Sequence, residues 1–228
     1  MLHFLRPTLV LTVTMALLPA ADDLQAVYAK IDATAKDFKG LTADIRQVAH
    51  IDLINEDDVE TGKIVVKRPK PHDIRMRIDF LEPDQKQVGF AGDKADIYYP
   101  KSNTDEVYDL GKRKAMLEQF LLLGFGTPSQ ELRNSYTIRL IGPETVNGQA
   151  TKRVELIPKS SDMLQTFPKI ELWISDSTGV ALQQKLFDKG GKDYHLATYS
   201  NMKLRSDIAD SEVKLDIPKG ASRTYPLK

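Results

Sequence analysis

Gly62-Lys63-Ile64-Val65-Val66-Lys67-Arg68-Pro69 is the stretch on which the reading of the fold turns. Side chains alternate sides along a strand, so Ile64, Val66 and Arg68 share one face while Lys63, Val65 and Lys67 share the other. The apolar face therefore ends in an arginine. A guanidinium buried without partners costs several kcal/mol, which leaves three outcomes for Arg68: snorkelling to water, meeting a carboxylate, or donating to backbone carbonyls of whatever covers that face. Pro69 fits a strand end, because proline cannot donate to the ladder.

On the N-terminal side the period changes once, at Leu41. Leu24, Val27, Tyr28, Ile31 and Ala35 recur at helical spacing after Asp22-Asp23, which are placed to cap the helix, and Phe38 closes the stripe before Gly40. From Leu41 the period is two. Leu41, Ala43, Ile45, Gln47, Ala49 and Ile51 oppose Thr42, Asp44, Arg46, Val48 and His50, with Gln47 the one polar residue on the apolar face. Asn55-Glu56-Asp57-Asp58 then reads as a solvated acidic hairpin tip without EF-hand spacing.

On the C-terminal side, Pro69-Lys70-Pro71 breaks the strand. Ile74, Met76, Ile78 and Phe80 then alternate with Arg75, Arg77 and Asp79. Short strands follow at 85–90, 95–99 and 106–110. Lys112 to Leu123 reverts to helical spacing through Met116, Leu117, Phe120, Leu121 and Leu123, and empties into Gly124-Phe125-Gly126-Thr127-Pro128, which a helix does not cross readily. Period two resumes with Tyr136, Ile138 and Leu140; Val154 and Leu156; Ile170, Leu172 and Ile174; Val180, Leu182 and Leu186; Tyr194, Leu196 and Met202; and Val213, Leu215 and Ile217. Asn147-Gly148 and Thr178-Gly179 mark hairpins.

Strands without alternating helices argue for antiparallel pairing, and one-sided alternation argues that the other face meets water. About eleven strands should curl rather than stay flat, and two helices are too few to cover them. The predicted fold is mainly β (α+β), a single unclosed antiparallel β-barrel with a helical lid. Its candidate lining is Ile45, Gln47, Ile64, Val66, Ile74, Met76, Ile78 and Phe80 from strands, with Met116, Phe120 and Leu121 from the lid. A ligand cavity and a filled core have the same composition at this level.

Residues 1–21 read as an export signal: Arg6 supplies the charge, Leu9 to Leu18 the apolar run, and Pro19-Ala20-Ala21 the small residues for cleavage after Ala20 or Ala21. Residues 22–228 are then the exported, soluble chain, a length that fits one β-rich domain or two small ones. The chain has no cysteine, which excludes disulfides, thiolate metal sites and a lipoprotein anchor on the mature N-terminus. Its 32 basic and 32 acidic residues give no electrostatic case for nucleic acid or anionic membrane. His3, His50, His72 and His195 have no zinc spacing, and His50 and His195 fall on polar strand faces as solvated residues. No nucleophile elbow, P-loop or dinucleotide fingerprint occurs. Neither catalysis nor a cofactor is expected. Trp173 falls on the polar face beside Lys169 and Glu171, where an exposed tryptophan marks a contact only weakly.

The order of these features resembles the periplasmic outer-membrane lipoprotein carriers, the LolA family, over nearly the whole mature chain. The resemblance rests on the N-terminal helix, Ile45-x-Gln47, Gly62-x-Ile64-x-Val66-Lys67-Arg68-Pro69, Gly92, Tyr98-Tyr99-Pro100 and the mid-chain helix ending Phe120-Leu121-Leu122-Leu123. It implies a monomeric chaperone that takes lipoprotein acyl chains, or a related lipid, from an inner-membrane transporter to an outer-membrane receptor. It also implies that Arg68 latches the lid by bonding its backbone and lets go when lipid enters. The aromatics usual near Ile45 and Val65 are aliphatic here, so the acyl-chain preference departs from the family pattern. The alternative is a periplasmic sensor that binds mislocalised lipoproteins and signals to a membrane partner. Such sensors carry a second domain, and the end of this chain soon after Ile217 favours the carrier. A lipid-processing enzyme would need a nucleophile and base that the sequence does not offer.

Overall fold

The computed structural model describes residues 20–70, 73–111, 114, 118 and 122–226. The expected signal, apart from its last residues, lies outside them, as do His3, His72, Met116, Leu117, Phe120 and Leu121. Among the described residues no helix is long and apolar enough to cross a membrane.

Helix α1 (Ala20–Asp37) comes first, so Asp22 and Asp23 lie within it rather than ahead of it as caps. Val27, Tyr28, Ile31, Ala35 and Phe38 are buried, as the helical stripe predicts. The chain then forms β1 (Gly40–Ile51), β2 (Glu56–Lys70), β3 (Asp73–Glu82), β4 (Lys86–Ala91), β5 (Lys94–Tyr99) and β6 (Thr104–Asp109) as an antiparallel meander. Lys114, Glu118 and Leu122 are helical. After a short α2 (Ser129–Ser135) come β7 (Tyr136–Val146), β8 (Gln149–Pro158), α3 (Ser161–Thr166), β9 (Lys169–Ser175), β10 (Ala181–Phe187), β11 (Tyr194–Leu204) and a three-residue β12 (Ser222–Thr224).

These strands make one 12-stranded sheet in the order β12-β6-β5-β4-β3-β2-β1-β11-β10-β9-β8-β7. Its pairs are antiparallel except β12 on β6, and its outermost strands, β12 and β7, do not pair with each other. This is the unclosed barrel the alternation predicts. The concave face carries two buried clusters. One joins the β1–β4 side to Phe38, Leu122 and Phe125; the other joins β7–β10 to Val27 and Ile31 of α1. Gly179, at φ +68, turns β9 into β10 directly beneath α1, where a Cβ would meet the Lys30 carbonyl at 2.4 Å. Only glycine satisfies both the turn and the approach.

The structure departs from the alternation in five places. β2 runs through Pro69 to Lys70, but its ladder to β3 is interrupted between Lys67 and Lys70. In β1 the apolar phase fails at the end, where Ile51 is 45% exposed and Val48 is buried. A register shift between Ala181 and Gln183 carries Leu182 into an outer cluster, away from Ala181 and Leu186. In β11 the inward residues are Ala197 and Tyr199, so Tyr194 and Leu196 have the opposite phase to that expected.

Val213–Ile217 is the fifth: it is not a strand. A 3-10 turn (Asp210–Val213) leads into an extended strap over the sheet's outer face. Arg77 holds it through Asp216 at 2.7 Å and the Lys214 carbonyl at 2.6 Å, while Lys67 and Arg75 bind Asp210.

The outer face is also less polar than its sequence suggests. Trp173 is only 5% exposed; it donates to Glu144 at 2.5 Å and lies under the Arg153 guanidinium. These bonds hold the Glu144 carboxyl below its usual range, the Trp173 bond contributing most. His50 is half-buried, stacked on Tyr194 and bonded to Asp57 at 2.7 Å, and His195 lies 3.5 Å from Asp188.

Candidate functional site

The apolar residues of β1, β2 and β3 that share the inward phase form continuous rows. Leu41, Val66, Met76, Phe90, Ala95 and Tyr108 are successive cross-strand partners from β1 to β6, and Ala43, Ile64, Ile78 and Val88 form the next row. Ile45, Ile64, Val66, Ile74, Met76, Ile78 and Phe80 are all buried in one cluster. Its cover among the described residues includes Phe38, Leu122 and Phe125, the last set edge-on to Tyr199 at 4.9 Å. Gln47 is half-buried opposite Ala197, which in turn faces Gln184. The proposed lid contributions of Met116, Phe120 and Leu121 lie outside the described residues.

Arg68 sits where the β2 row leaves the sheet. Its backbone N–H donates to the Lys39 carbonyl at 2.7 Å. Its guanidinium donates to the carbonyls of Gly126 at 2.6 Å, Ala35 at 2.8 Å and Phe38 at 3.0 Å, and stands 5.2 Å from the Phe38 ring centre. Two of the acceptors are at the C-terminal end of α1, where carbonyls lack helical partners and the helix dipole favours a cation. The third is in the segment after the mid-chain helix. Of the three outcomes open to Arg68, the geometry is donation to backbone. Desolvation lowers its pKa, opposed by the charge of Glu131.

Other polar tethers hold the same segment. Gln184, 7% exposed, donates through Nε2 to the Leu123 carbonyl, and Ala181 N–H donates to Gly124 at 2.9 Å. Thr127 Oγ1 donates to the Leu122 carbonyl at 2.8 Å. Asp32 of α1 accepts from both the N–H and the hydroxyl of Ser129, each at 2.7 Å. Gln184 and Asp32 were not singled out in the sequence. A glutamine inside an apolar strand was the available signal for Gln184; Asp32, on the polar side of its helix, gave none.

The arrangement is an apolar concave surface closed by segment 122–128, which is fixed to α1, β2 and β10 through exchangeable hydrogen bonds. Opening that segment would carry Leu122 and Phe125 off the rows without breaking a strand. Such geometry suits reversible sequestration of an apolar guest, and uses no reacting side chain.

The fold is an unclosed, mainly antiparallel β-barrel, and solved structures share it. MucB superposes with a TM-score of 0.53 at 14% identity, over 85% of this chain and 63% of its own, so the chain spans under two thirds of that protein. An uncharacterized conserved protein from Thermus thermophilus superposes at 0.54 and 14% identity, covering 89% and 99%. A LolA superfamily protein from Nitrosomonas europaea is also similar, at 0.41 and 14% identity over 84% and 97%. A family model described as "Uncharacterized protein" matches residues 126–213, and no curated protein matches the chain.

Proposed function

We infer that this protein is an exported, periplasmic acyl-chain carrier, binding the chains of lipoproteins or of a related lipid between the membranes. One observation carries this reading: Arg68 ties the cover of a continuous apolar surface through backbone carbonyls alone. Side chains that only filled a core would need no such cation at their edge. The empty carrier is closed by these bonds. Entering chains take the place of Phe38, Leu122 and Phe125 against Val66, Met76 and Ile78, and Arg68 releases the Gly126 carbonyl. An inner-membrane transporter would load the carrier, and an outer-membrane receptor would accept the cargo as the bonds re-form.

The test is displacement of an apolar fluorescent probe by an acylated peptide, with mass spectrometry of lipid that co-purifies from the periplasm. Near-stoichiometric, displaceable binding is expected. A packed core would take up no probe until partly unfolded, and that result would refute the reading. Transfer of bound cargo to acceptor membranes separates a carrier from a sensor, which would retain its lipid.

A further inference from the structure

The Arg68 guanidinium has five N–H donors, of which three reach carbonyls. The Nε–H and one N–H of the Gly126-bonded nitrogen have no partner among the described residues. Beside them is a pocket of about 200 Å³ whose wall includes Lys36, Lys39, Lys70, Thr127 and Glu131. Among the described residues none of these three lysines forms an ion pair, whereas Lys67 on the same strand and Arg77 on the next are both paired. Four cations therefore face one carboxylate, in a chain whose 32 basic and 32 acidic residues balance as a whole. Unpaired cations gathered around unused guanidinium donors are the recognition chemistry of a multi-oxygen anion.

Size and position narrow the ligand. The pocket is below the roughly 300 Å³ at which whole small molecules are usually enclosed, so it fits a headgroup rather than an acyl chain. Phe38 and Leu122 belong both to its wall and to the buried cluster. An anion held there would have its attached chains pointing at the apolar rows. We propose that this pocket takes the phosphoester headgroup of an anionic lipid, which thereby draws Arg68 off the lid. The inference rests on the carrier reading and specifies its cargo. A phosphate offers several oxygens, so it can engage the arginine fork and the lysines together, which a single carbonyl acceptor does not.

The test compares 1-lauroyl-lysophosphatidic acid with 1-lauroyl-glycerol, which differ only by the phosphate, in calorimetric titrations of the full chain below their aggregation concentrations. Glycerol 3-phosphate supplies the phosphoester without a chain. The phosphorylated lipid should bind about ten-fold or more tightly than the neutral one, and glycerol 3-phosphate far more weakly than either. In the exposed double variant Lys39→Gln/Lys70→Gln the preference should fall towards one. Equal affinities for the two lipids, or a preference that survives the double variant, would overturn the headgroup site while leaving the carrier reading intact. Glycerol 3-phosphate binding as tightly as the lipid would overturn it in favour of a soluble phosphoester. Binding of neither lipid would sink the carrier reading, and the inference with it.

Discussion

Arg68→Leu removes the three guanidinium bonds to Gly126, Ala35 and Phe38 while leaving the Arg68 backbone bond to Lys39 in place. Charge-assisted bonds contribute about 1.5 kcal/mol each at the low end of their range, so the gross loss is about 4–5 kcal/mol. A half-buried leucine returns about 1 kcal/mol of apolar contact. Water entering from the adjoining pocket re-solvates part of the carbonyl set, which returns about another 1 kcal/mol. The closed position of segment 122–128 should therefore lose about 2–3 kcal/mol, equivalent to about a 30- to 150-fold rise in its opening. Hydrogen exchange followed by mass spectrometry reads this directly: amides of 122–128 and of the end of α1 should exchange faster, while those of β8 and β9 keep their rates. Arg68→Lys should fall between, since an ammonium keeps the charge but lacks the planar fork. In function, Arg68→Leu should accept cargo and pass it on poorly, because no bonds re-form on release. Exchange rates in 122–128 within about two-fold of the parent would refute the latch, as would parental transfer to the acceptor.

Gly62→Ala should destabilise the protein by about 3 kcal/mol in urea unfolding, because its Cβ would lie 2.1 Å from the Asp79 carbonyl oxygen across the β2–β3 pair. Met76→Glu places a carboxylate in the buried row between Val66 and Phe90, and should abolish both probe binding and most of the stability; an unchanged urea midpoint would show that this row is not the inside. The Glu144 carboxyl is depressed in the folded state, chiefly by the Trp173 bond and then by Arg153. Its contribution is therefore complete above the free carboxylate range, near about pH 4.3, and is lost as pH falls through the folded value. Glu144→Gln should flatten the fall of stability between neutral and acid pH, measured by urea midpoints across that range.

What the sequence made legible was periodicity and two of its violations, Gln47 and Arg68. The rows through Ile64, Val66, Ile74, Met76 and Ile78 follow from alternation alone, and Arg68 stood out because it broke the row. The errors have definite causes. A strap lying on a sheet is extended like a strand, so Val213, Leu215 and Ile217 alternate with the exposed Lys214 and Asp216 without joining the ladder; Leu215 packs on Gly89, whose missing side chain makes room for it. The register shift at Ala181 reverses the phase of β10, and no residue type announces it. β11 carries apolar residues on both faces, so composition did not fix which of Leu196 or Ala197 points inward. Trp173 is buried on a face read as polar because Glu144 and Arg153 cover it from the long β7–β8 hairpin, a contact between distant parts of the chain. The carbonyl partners of Arg68 were likewise invisible as residues, since any sequence supplies a backbone oxygen at positions 35, 38 and 126.

That choice of acceptor sets the energetic scale of the switch. A carboxylate partner for Arg68 would leave a buried charge behind whenever the lid opened, at a cost of about 3–5 kcal/mol; a carbonyl leaves a neutral group that water or a helix end can satisfy. Three such bonds, with the Gln184 and Asp32 tethers beside them, are strong enough to keep the apolar rows covered in the empty protein. They are weak against cargo. Each buried methylene contributes about 0.8 kcal/mol, so a chain of a dozen carbons brings about 9–10 kcal/mol on full burial, more than the Arg68 bonds can oppose. On the carrier reading, loading is therefore favourable despite the latch, and the re-formed bonds repay part of the chain's burial only when it leaves. On the same reading the latch acts on release rather than on capture, so its removal should show as accumulated loaded carrier and not as a failure to bind.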